Sequence, residues 1–319
     1  MRQISRSEVL GVLAAGAATA ALPRPVRAQN APFKLRVGSV PADTYAEGYY
    51  ALDVGLFDKA GLSVEIIPFS NGAAMAAAAA GGSIDVGVGD ATELANGISR
   101  GLPFVLIAGG GLYSTNAPTT TLCITKSSTI TKASDLEGQN VAVVSLVSLM
   151  SSAVKSWLTQ NGADISKIHF IELPFPQMPP ALSRGTVAAA CLSEPIMSGA
   201  LGADAKVLGK VYDAIAKQFY ISDWFTTRDW IARNQDAAKR FVSVAYETAR
   251  WANANHEQSL AILAKYAKYD LDLVRSMRRA SYATTLDAKL IQPVLDAGAK
   301  YKALERPYNA NDLIVRISV

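Results

Sequence analysis

An internal repeat constrains the fold of this chain more than any other feature. Residues 34–90 and 140–194 follow the same order of strand, helix, strand, helix and strand. Matched positions keep a similar spacing, 106 residues between Phe69 and Phe175, which both complete a Pro-Phe pair, and 103 residues between Gly82 and Gly185. Gly61 and Gly162 stand where each first helix should end, and glycine is common at that left-handed position. Two βαβαβ units of this kind predict an α/β fold with two mainly parallel sheets and flanking helices.

The predicted strands of the repeat are continuous apolar runs, such as Lys34–Val40 (KLRVGSV) and Asn140–Leu146 (NVAVVSL). Strands buried on both faces have this character. Leu102–Gly111 should add a fourth strand to the first unit, and Phe219–Thr227 should cross back from the second. The spacing of apolar residues in Asn234–Asn255 predicts a long helix in the C-terminal part. We therefore predict two lobes, lobe I formed by residues 29–117 and 228–319 and lobe II by residues 118–227.

Residues 1–28 have the pattern of a secretion signal. Arg2 and Arg6 precede the uncharged apolar run Val9–Leu22, and Ala28 ends a short motif of the kind that a signal peptidase reads. The run is shorter than the roughly 20 apolar residues that a membrane-spanning anchor needs. We expect export and cleavage after Ala28. The segment carries four arginines and one glutamate, so its removal lowers the net charge from +4 to +1. A nucleic-acid partner, which would require a clustered basic face, is not indicated.

Four stretches keep a characteristic order and spacing: Ala51–Gly61 (ALDVGLFDKAG), Ala80–Gly89 (AGGSIDVGVG), Asp135–Gly138 (DLEG) and Ala238–Ala249 (AKRFVSVAYETA). Together they resemble the periplasmic solute-binding proteins of the nitrate, sulfonate, taurine and thiamine-precursor importers. The resemblance covers about Phe33 to Ala267. It implies a two-lobed periplasmic binding protein of type II, with the ligand clamped in a cleft between lobes joined by two crossovers. It also implies a monomer in the periplasm, with an ABC permease and its ATPase as partners.

The ligand-selecting residues of such proteins vary with the ligand, so candidate residues come from position in the fold. Parallel sheets bind ligands beyond the carboxyl ends of their strands, where helix N-termini converge. The loops at these positions give the following candidate ligand-binding residues: Thr44, Tyr45, Asn71, Gly72, Ala73, Asp90, Ala91, Thr92, Tyr113, Ser145, Ser148, Phe175, Glu194 and Trp224.

Several candidates have a structural alternative. Asn71 and Asp90 are also good helix N-caps, which would explain them without a ligand. The aromatic candidates, such as Tyr113 and Trp224, are of a type that more often fills a core. Glu194 would either bind a donor on the ligand or face solvent.

The candidate loops contain no lysine or arginine. Helix N-termini alone could still bind nitrate or a sulfonate. Asp43, Asp90 and Glu194, together with the aromatic residues, instead favour a neutral or partly basic ring compound, such as a pyrimidine or another heterocycle. The sequence leaves both ligand classes open.

An enzyme is the main alternative, because proteins of this fold include a pyridoxal-phosphate-dependent pyrimidine synthase and a sulfinate-releasing hydrolase. The hydrolase would need a cysteine in the loop after the first strand, which here reads Pro41-Ala42-Asp43-Thr44. No nucleophile is visibly paired with a base, so we expect no catalysis, no cofactor and no metal site. A ligand-binding module of a membrane sensor is the other alternative.

Cys123 and Cys191 both lie in apolar, strand-like runs. They are either buried free thiols or partners in a disulfide, and the sequence does not give the separation of their Cα atoms that would decide between the two.

Overall fold

The structure is a computed structural model that describes residues 31–319. The predicted signal peptide, residues 1–28, lies outside the described residues. The strands in chain order are β1 Phe33–Ser39, β2 Leu62–Pro68, β3 Gly87–Gly89, β4 Phe104–Gly109, β5 Gly111–Ser114, β6 Thr120–Thr125, β7 Asn140–Val143, β8 His169–Glu172, β9 Ala189–Ser193, β10 Ala205–Gly209, β11 Gln218–Tyr220, β12 Asp223–Thr227 and β13 Ser281–Tyr282. The helices are α1 Glu47–Asp53, α2 Leu56–Lys59, α3 Gly72–Ala80, α4 Ala91–Ser99, α5 Leu149–Gln160, α6 Met178–Ser183, α7 Ile196–Gly202, α8 Arg228–Arg233, α9 Gln235–Ala254, α10 His256–Ala267, α11 Leu271–Ser276, α12 Ala288–Lys300 and α13 Ala310–Leu313.

The two repeat copies form two sheets with the same strand order. In the first sheet, β1 pairs in parallel with β2 and reaches β3 through a parallel bridge between Val37 and Val86. Antiparallel pairing of β12 with β3 and β4 completes the order β2-β1-β3-β12-β4. The second sheet has the order β8-β7-β9-β6-β10, with β7 parallel to β8 and β9. These pairings confirm the predicted α/β architecture of mainly parallel sheets.

Each sheet also receives an antiparallel strand from a crossing segment. Strand β6 leaves the first repeat copy and pairs with β9 of the second, whereas β12 returns after the second copy and pairs with β3 of the first. Strand β11 pairs with β5, so both β11 and β12 associate with first-half strands, although the predicted lobe II extends to residue 227. The lobe boundaries stay a prediction, and the pairing favours a second crossing at residues 210–217.

Local backbone geometry repeats as well, with one exception. Gly61 and Gly162 have φ values of +67° and +82°, the left-handed conformation predicted for the residue that follows each first helix. The first helical stretch of the first copy is interrupted. A 3₁₀ turn covers Asp43–Tyr45, and α1 and α2 are separated at Gly55, whose φ is +73°. The matching helix α5 of the second copy is continuous.

The core occupies the sheet centres and the contact with the C-terminal helices. All residues of β4 and β9 are buried, and Phe241 of α9 packs against Phe57 and Trp224. Cys123 and Cys191, on the neighbouring strands β6 and β9, are buried free thiols. Within residues 31–319, no helix combines the length and apolar character needed to cross a membrane.

Candidate ligand-binding site

A small cavity lies between the two sheets, beyond the carboxyl ends of their strands. Its volume is about 20 Å³, which is room for about one water molecule. Both halves of the repeat contribute to its wall. The lining residues are Val40, Thr44, Tyr45, Asn71, Gly72, Asp90, Glu93, Val144, Leu149, Met150, Phe175, Ser193, Tyr212 and Ile221.

The carboxylate of Asp90 links the two halves at this cavity. Asp90 is the N-cap of α4, where its Oδ1 atom accepts hydrogen bonds from the backbone N–H groups of Thr92 (2.8 Å) and Glu93 (3.0 Å). Its Oδ2 atom accepts a hydrogen bond of 3.0 Å from the backbone N–H of Leu149, the first residue of α5. Burial raises the pKa of Asp90 to about 6, while these hydrogen bonds act in the opposite direction. Asp90 therefore occupies the N-termini of two helices, one from each half.

A second carboxyl group, that of Glu93, lies at the N-terminus of α3. A Cβ atom at Gly72 would overlap the Glu93 carboxyl group, so glycine at position 72 is what allows this close approach. Burial raises the pKa of Glu93 well above its ordinary value, and the nearby charge of Asp90 raises it further. A hydrogen bond from the backbone of Ala73 lowers it in part.

These two carboxyl groups decide the electrostatic character of the cavity. The N-termini of α3, α4 and α5 would ordinarily attract an anionic ligand, but Asp90 and Glu93 already occupy them. None of the residues that line the cavity is a lysine, arginine or histidine. The arrangement suits a ligand that donates hydrogen bonds or carries positive charge. An anionic ligand would instead meet two acidic groups with no cation to offset them.

The family model described as "NMT1/THI5 like" matches residues 44–259, more than half of the chain. The chain belongs to the NMT1/THI5-like family. No curated protein sequence matches it.

Solved structures share the fold of this NMT1/THI5-like protein. The periplasmic aliphatic sulphonate binding protein SsuA from Escherichia coli is 20% identical, with 90% of this chain and 93% of that chain covered and a TM-score of 0.73. The periplasmic nitrate-binding protein NrtA from Synechocystis PCC 6803 is 15% identical, with coverages of 89% and 86% and a TM-score of 0.77. The desulfurization enzyme DSZB is 13% identical, with coverages of 89% and 96% and a TM-score of 0.66. The predicted family resemblance and the periplasmic binding protein fold are thereby confirmed.

Six of the fourteen candidate residues line the cavity of the NMT1/THI5-like protein: Thr44, Tyr45, Asn71, Gly72, Asp90 and Phe175. For Asn71 the capping role also holds, since its Oδ1 atom accepts a hydrogen bond of 2.9 Å from the backbone N–H of Ala74. Asp90 likewise has both roles.

Five other candidates are sequence neighbours of lining residues but do not line the cavity themselves. They are Ala73, Ala91, Thr92, Ser145 and Ser148. Ser148 caps α5 by accepting a hydrogen bond of 3.2 Å from the backbone N–H of Ser151. The others lie beside the lining residues in sequence, and their side chains form no part of the wall.

Tyr113 and Trp224 do not line the cavity, and both pack in the core. The hydroxyl group of Tyr113 donates a 2.6 Å hydrogen bond to Asp213, and its ring packs against Tyr212. The indole N–H of Trp224 donates a 3.0 Å hydrogen bond to Glu47. Both side chains are fully buried.

Glu194 neither lines the cavity nor faces solvent, the two alternatives that the sequence left open. It is only 2% exposed. Its carboxylate accepts hydrogen bonds from the Ser198 backbone N–H (3.0 Å) and hydroxyl group (2.9 Å) and, more weakly, from the Arg278 backbone N–H (3.4 Å). Burial raises the pKa of Glu194 to about 7 in spite of these bonds.

Glu93 and Tyr212 line the cavity but are not among the candidates predicted from the sequence. Glu93 had a usable signal, because Asp90 and Glu93 have the spacing of a capping box, in which the second side chain folds back over the helix N-terminus. Tyr212 comes from the crossing segment after β10 and has no comparable signal. Among the described residues, no group of three or more His, Cys, Asp or Glu side chains is arranged to hold a metal ion.

Proposed function

We propose that this protein is the solute-binding component of an ABC importer. It would capture a small organic molecule in the periplasm and deliver it to the permease and its ATPase. The observation that carries the proposal is the cavity between the two sheets, because both repeat copies contribute to its wall at the place where this class of fold binds ligands. Membership of the NMT1/THI5-like family supports the same role.

The ligand is proposed to be a neutral or basic compound with N–H donors, such as an amino-substituted heterocycle. The support comes from the carboxyl groups of Asp90 and Glu93, which supply acceptor oxygens, and from Tyr45, Phe175 and Tyr212, which supply flat surfaces. Nitrate and sulfonates are disfavoured for this chain because its own carboxyl groups hold the helix N-termini that would bind them.

Hinge closure is the proposed mechanism of capture. A cavity of about 20 Å³ is smaller than any organic ligand, so the two halves must separate to admit one. A ligand that touches both halves binds the closed arrangement better than the open one and shifts the equilibrium towards it.

A thermal-shift screen of the purified protein tests the ligand class. The panel pairs aminopyrimidines and other amino heterocycles with nitrate, taurine, alkanesulfonates and aromatic carboxylates. A ligand at 100 times its Kd stabilises the folded state by about 2.7 kcal/mol, so we expect a raised midpoint with the basic members and none with the anions. Stabilisation by an alkanesulfonate or nitrate alone would overturn the ligand class while leaving the binding role intact.

An enzymatic role has weaker support. The likeness to DSZB concerns the fold, and the loop Pro41-Ala42-Asp43-Thr44 offers no thiol. Burial raises the pKa of Cys123 to about 11 and that of Cys191 well above its ordinary value. Both thiols therefore stay protonated at neutral pH and are poor nucleophiles.

Periplasmic export is tested by mass spectrometry, since cleavage after Ala28 gives a protein that begins at Gln29.

A further inference from the structure

A second, apolar cavity opens next to the ligand-binding cavity. Its volume is about 200 Å³, and we call it the Pro-Phe groove because the phenylalanines of both Pro-Phe pairs line it. Its wall includes Val40, Phe69, Phe175, Ile196 and Tyr269, and no charged side chain lines it.

The groove is built from matched positions of the repeat. Phe69 follows β2 of the first sheet and Phe175 follows β8 of the second. Each is the phenylalanine of a Pro-Phe pair, so the same corner of each repeat copy contributes to one wall. An occupant of the groove would therefore contact both halves, as an occupant of the polar cavity does.

The groove and the polar cavity are direct neighbours. Val40 and Phe175 line both of them. The chemistry changes across these two side chains, from a space with two carboxyl groups to one whose polar side chains, Ser70 and Tyr269, bear hydroxyl groups only. An enclosed apolar cavity of about 150 Å³ is large enough to bind benzene, so the groove has room for a six-membered ring or a hydrocarbon chain of about six carbons.

We propose that the Pro-Phe groove binds the apolar part of the same ligand whose N–H donors meet Asp90 and Glu93. The ligand is then amphipathic, with an amine or amino-heterocycle head and an aryl or alkyl group of about six carbons. This inference rests on the proposed function, and it adds a requirement that the polar cavity by itself does not impose.

A series of primary amines of increasing chain length tests the proposal. The Kd values of n-propylamine, n-pentylamine, n-heptylamine and 2-phenylethylamine are measured by titration calorimetry on the purified protein. Burial of each added methylene group should strengthen binding about fourfold until the groove is full. The matching n-alkyl carboxylates serve as probes with the same tails and the opposite head charge, and we expect no binding from them.

Two variants locate the gain in the groove. Ile196 is half-buried in the groove wall, and I196E should reduce the gain per methylene to near onefold by placing a charge beside the tail. Ser70 is an exposed residue of the same wall, and S70F should have the same effect by filling the space. V207E is the matched control, because Val207 is 45% exposed on β10 and lines neither cavity. It should keep the full gain.

The outcomes separate this inference from the proposed function. Binding of short amines with no gain along the series would overturn the groove proposal and leave the polar site standing. A segment of the permease would then be the next candidate occupant of the groove. A gain that persists in both I196E and S70F would place the tail elsewhere and overturn the proposal. If no amine binds at any length, the proposed ligand class fails, and this inference fails with it.

Discussion

Asp90 and Glu194 occupy equivalent positions in the two halves of the molecule and have different partners. Each directly follows the third strand of its repeat copy, β3 or β9, and each is buried. Asp90 reaches across to the N-terminus of α5 in the other half. Glu194 reaches along its own helix α7 to Ser198 and outward to Arg278 in the C-terminal segment.

The difference follows from side-chain length and from the next residue. Asp90 is itself the N-cap of α4, so its short carboxylate stays at the helix end and faces the cavity. Glu194 precedes Pro195, the N-cap of α7, and its longer side chain extends to the backbone N–H of Ser198. The repeat thus places a buried acid after the third strand of both copies, but only Asp90 faces the cavity.

Removal of the Asp90 carboxylate should give the largest effect. We expect D90A to lower the free energy of unfolding by about 3 kcal/mol, because it removes the cap of α4 and leaves the N–H of Leu149 without an acceptor. Ligand binding should weaken about tenfold or more, since a charge-assisted contact is lost. Urea denaturation and titration calorimetry measure the two effects.

S148A is the control for D90A, because Ser148 caps α5 without joining the halves. It should lower the free energy of unfolding by about 1 kcal/mol, the usual cost of losing a cap. D90N keeps a good capping residue, so it should reduce ligand binding more than stability. Equal losses of stability in D90A and S148A would show that the link from Asp90 to Leu149 adds nothing.

The pKa of Glu194 predicts how stability depends on pH. The pKa is about 7 in the folded protein and about 4.3 in an unfolded chain. Between these values the folded state retains a proton that the unfolded state releases, so the free energy of unfolding falls as pH rises from about 4.3 to 7. The fall attributable to this group should be roughly 2 to 3 kcal/mol.

E194Q tests this prediction, because glutamine is neutral throughout the range. The variant should lack the part of the decline that Glu194 causes, and the difference is read from urea denaturation at pH 5 and pH 8. Parallel curves for E194Q and the original protein would show that Glu194 titrates near its ordinary value.

Substitution of Gly72 should affect stability less than D90A. In G72A the new methyl group would displace the Glu93 carboxyl group from the N-terminus of α3. We expect a loss of about 1 to 2 kcal/mol in the free energy of unfolding and weaker ligand binding. G81A, at the other end of α3, is the matched control, because Gly81 has right-handed geometry and a Cβ atom there would make only ordinary contacts. Equal effects of the two substitutions on ligand binding would remove Glu93 from the site.

Much of the candidate site could be predicted from the loops that follow the strands. Asn71 and Asp90 were identifiable because N-cap residues stand at helix starts, and helix starts converge at the carboxyl ends of the strands. Trp224 could not be placed, because an aromatic side chain at the start of a strand looks the same whether it faces a cleft or the interior. The role of Glu194 could not be predicted because it depends on its partners Ser198 and Arg278, and Arg278 lies 84 residues away in sequence.

The sequence by itself determined the architecture of this protein. Apolar runs of strand length, helix-ending glycines and a second copy of the same order are local signals, and local signals suffice to predict two mainly parallel sheets with flanking helices. Only the tertiary structure decided the chemistry of the site. The contact between Asp90 and Leu149 joins residues 59 positions apart, and the approach of Glu93 to Gly72 depends on how α3 and α4 pack. Such contacts depend on the relative position of whole elements, and burial, which sets the pKa values of these carboxyl groups, has the same origin.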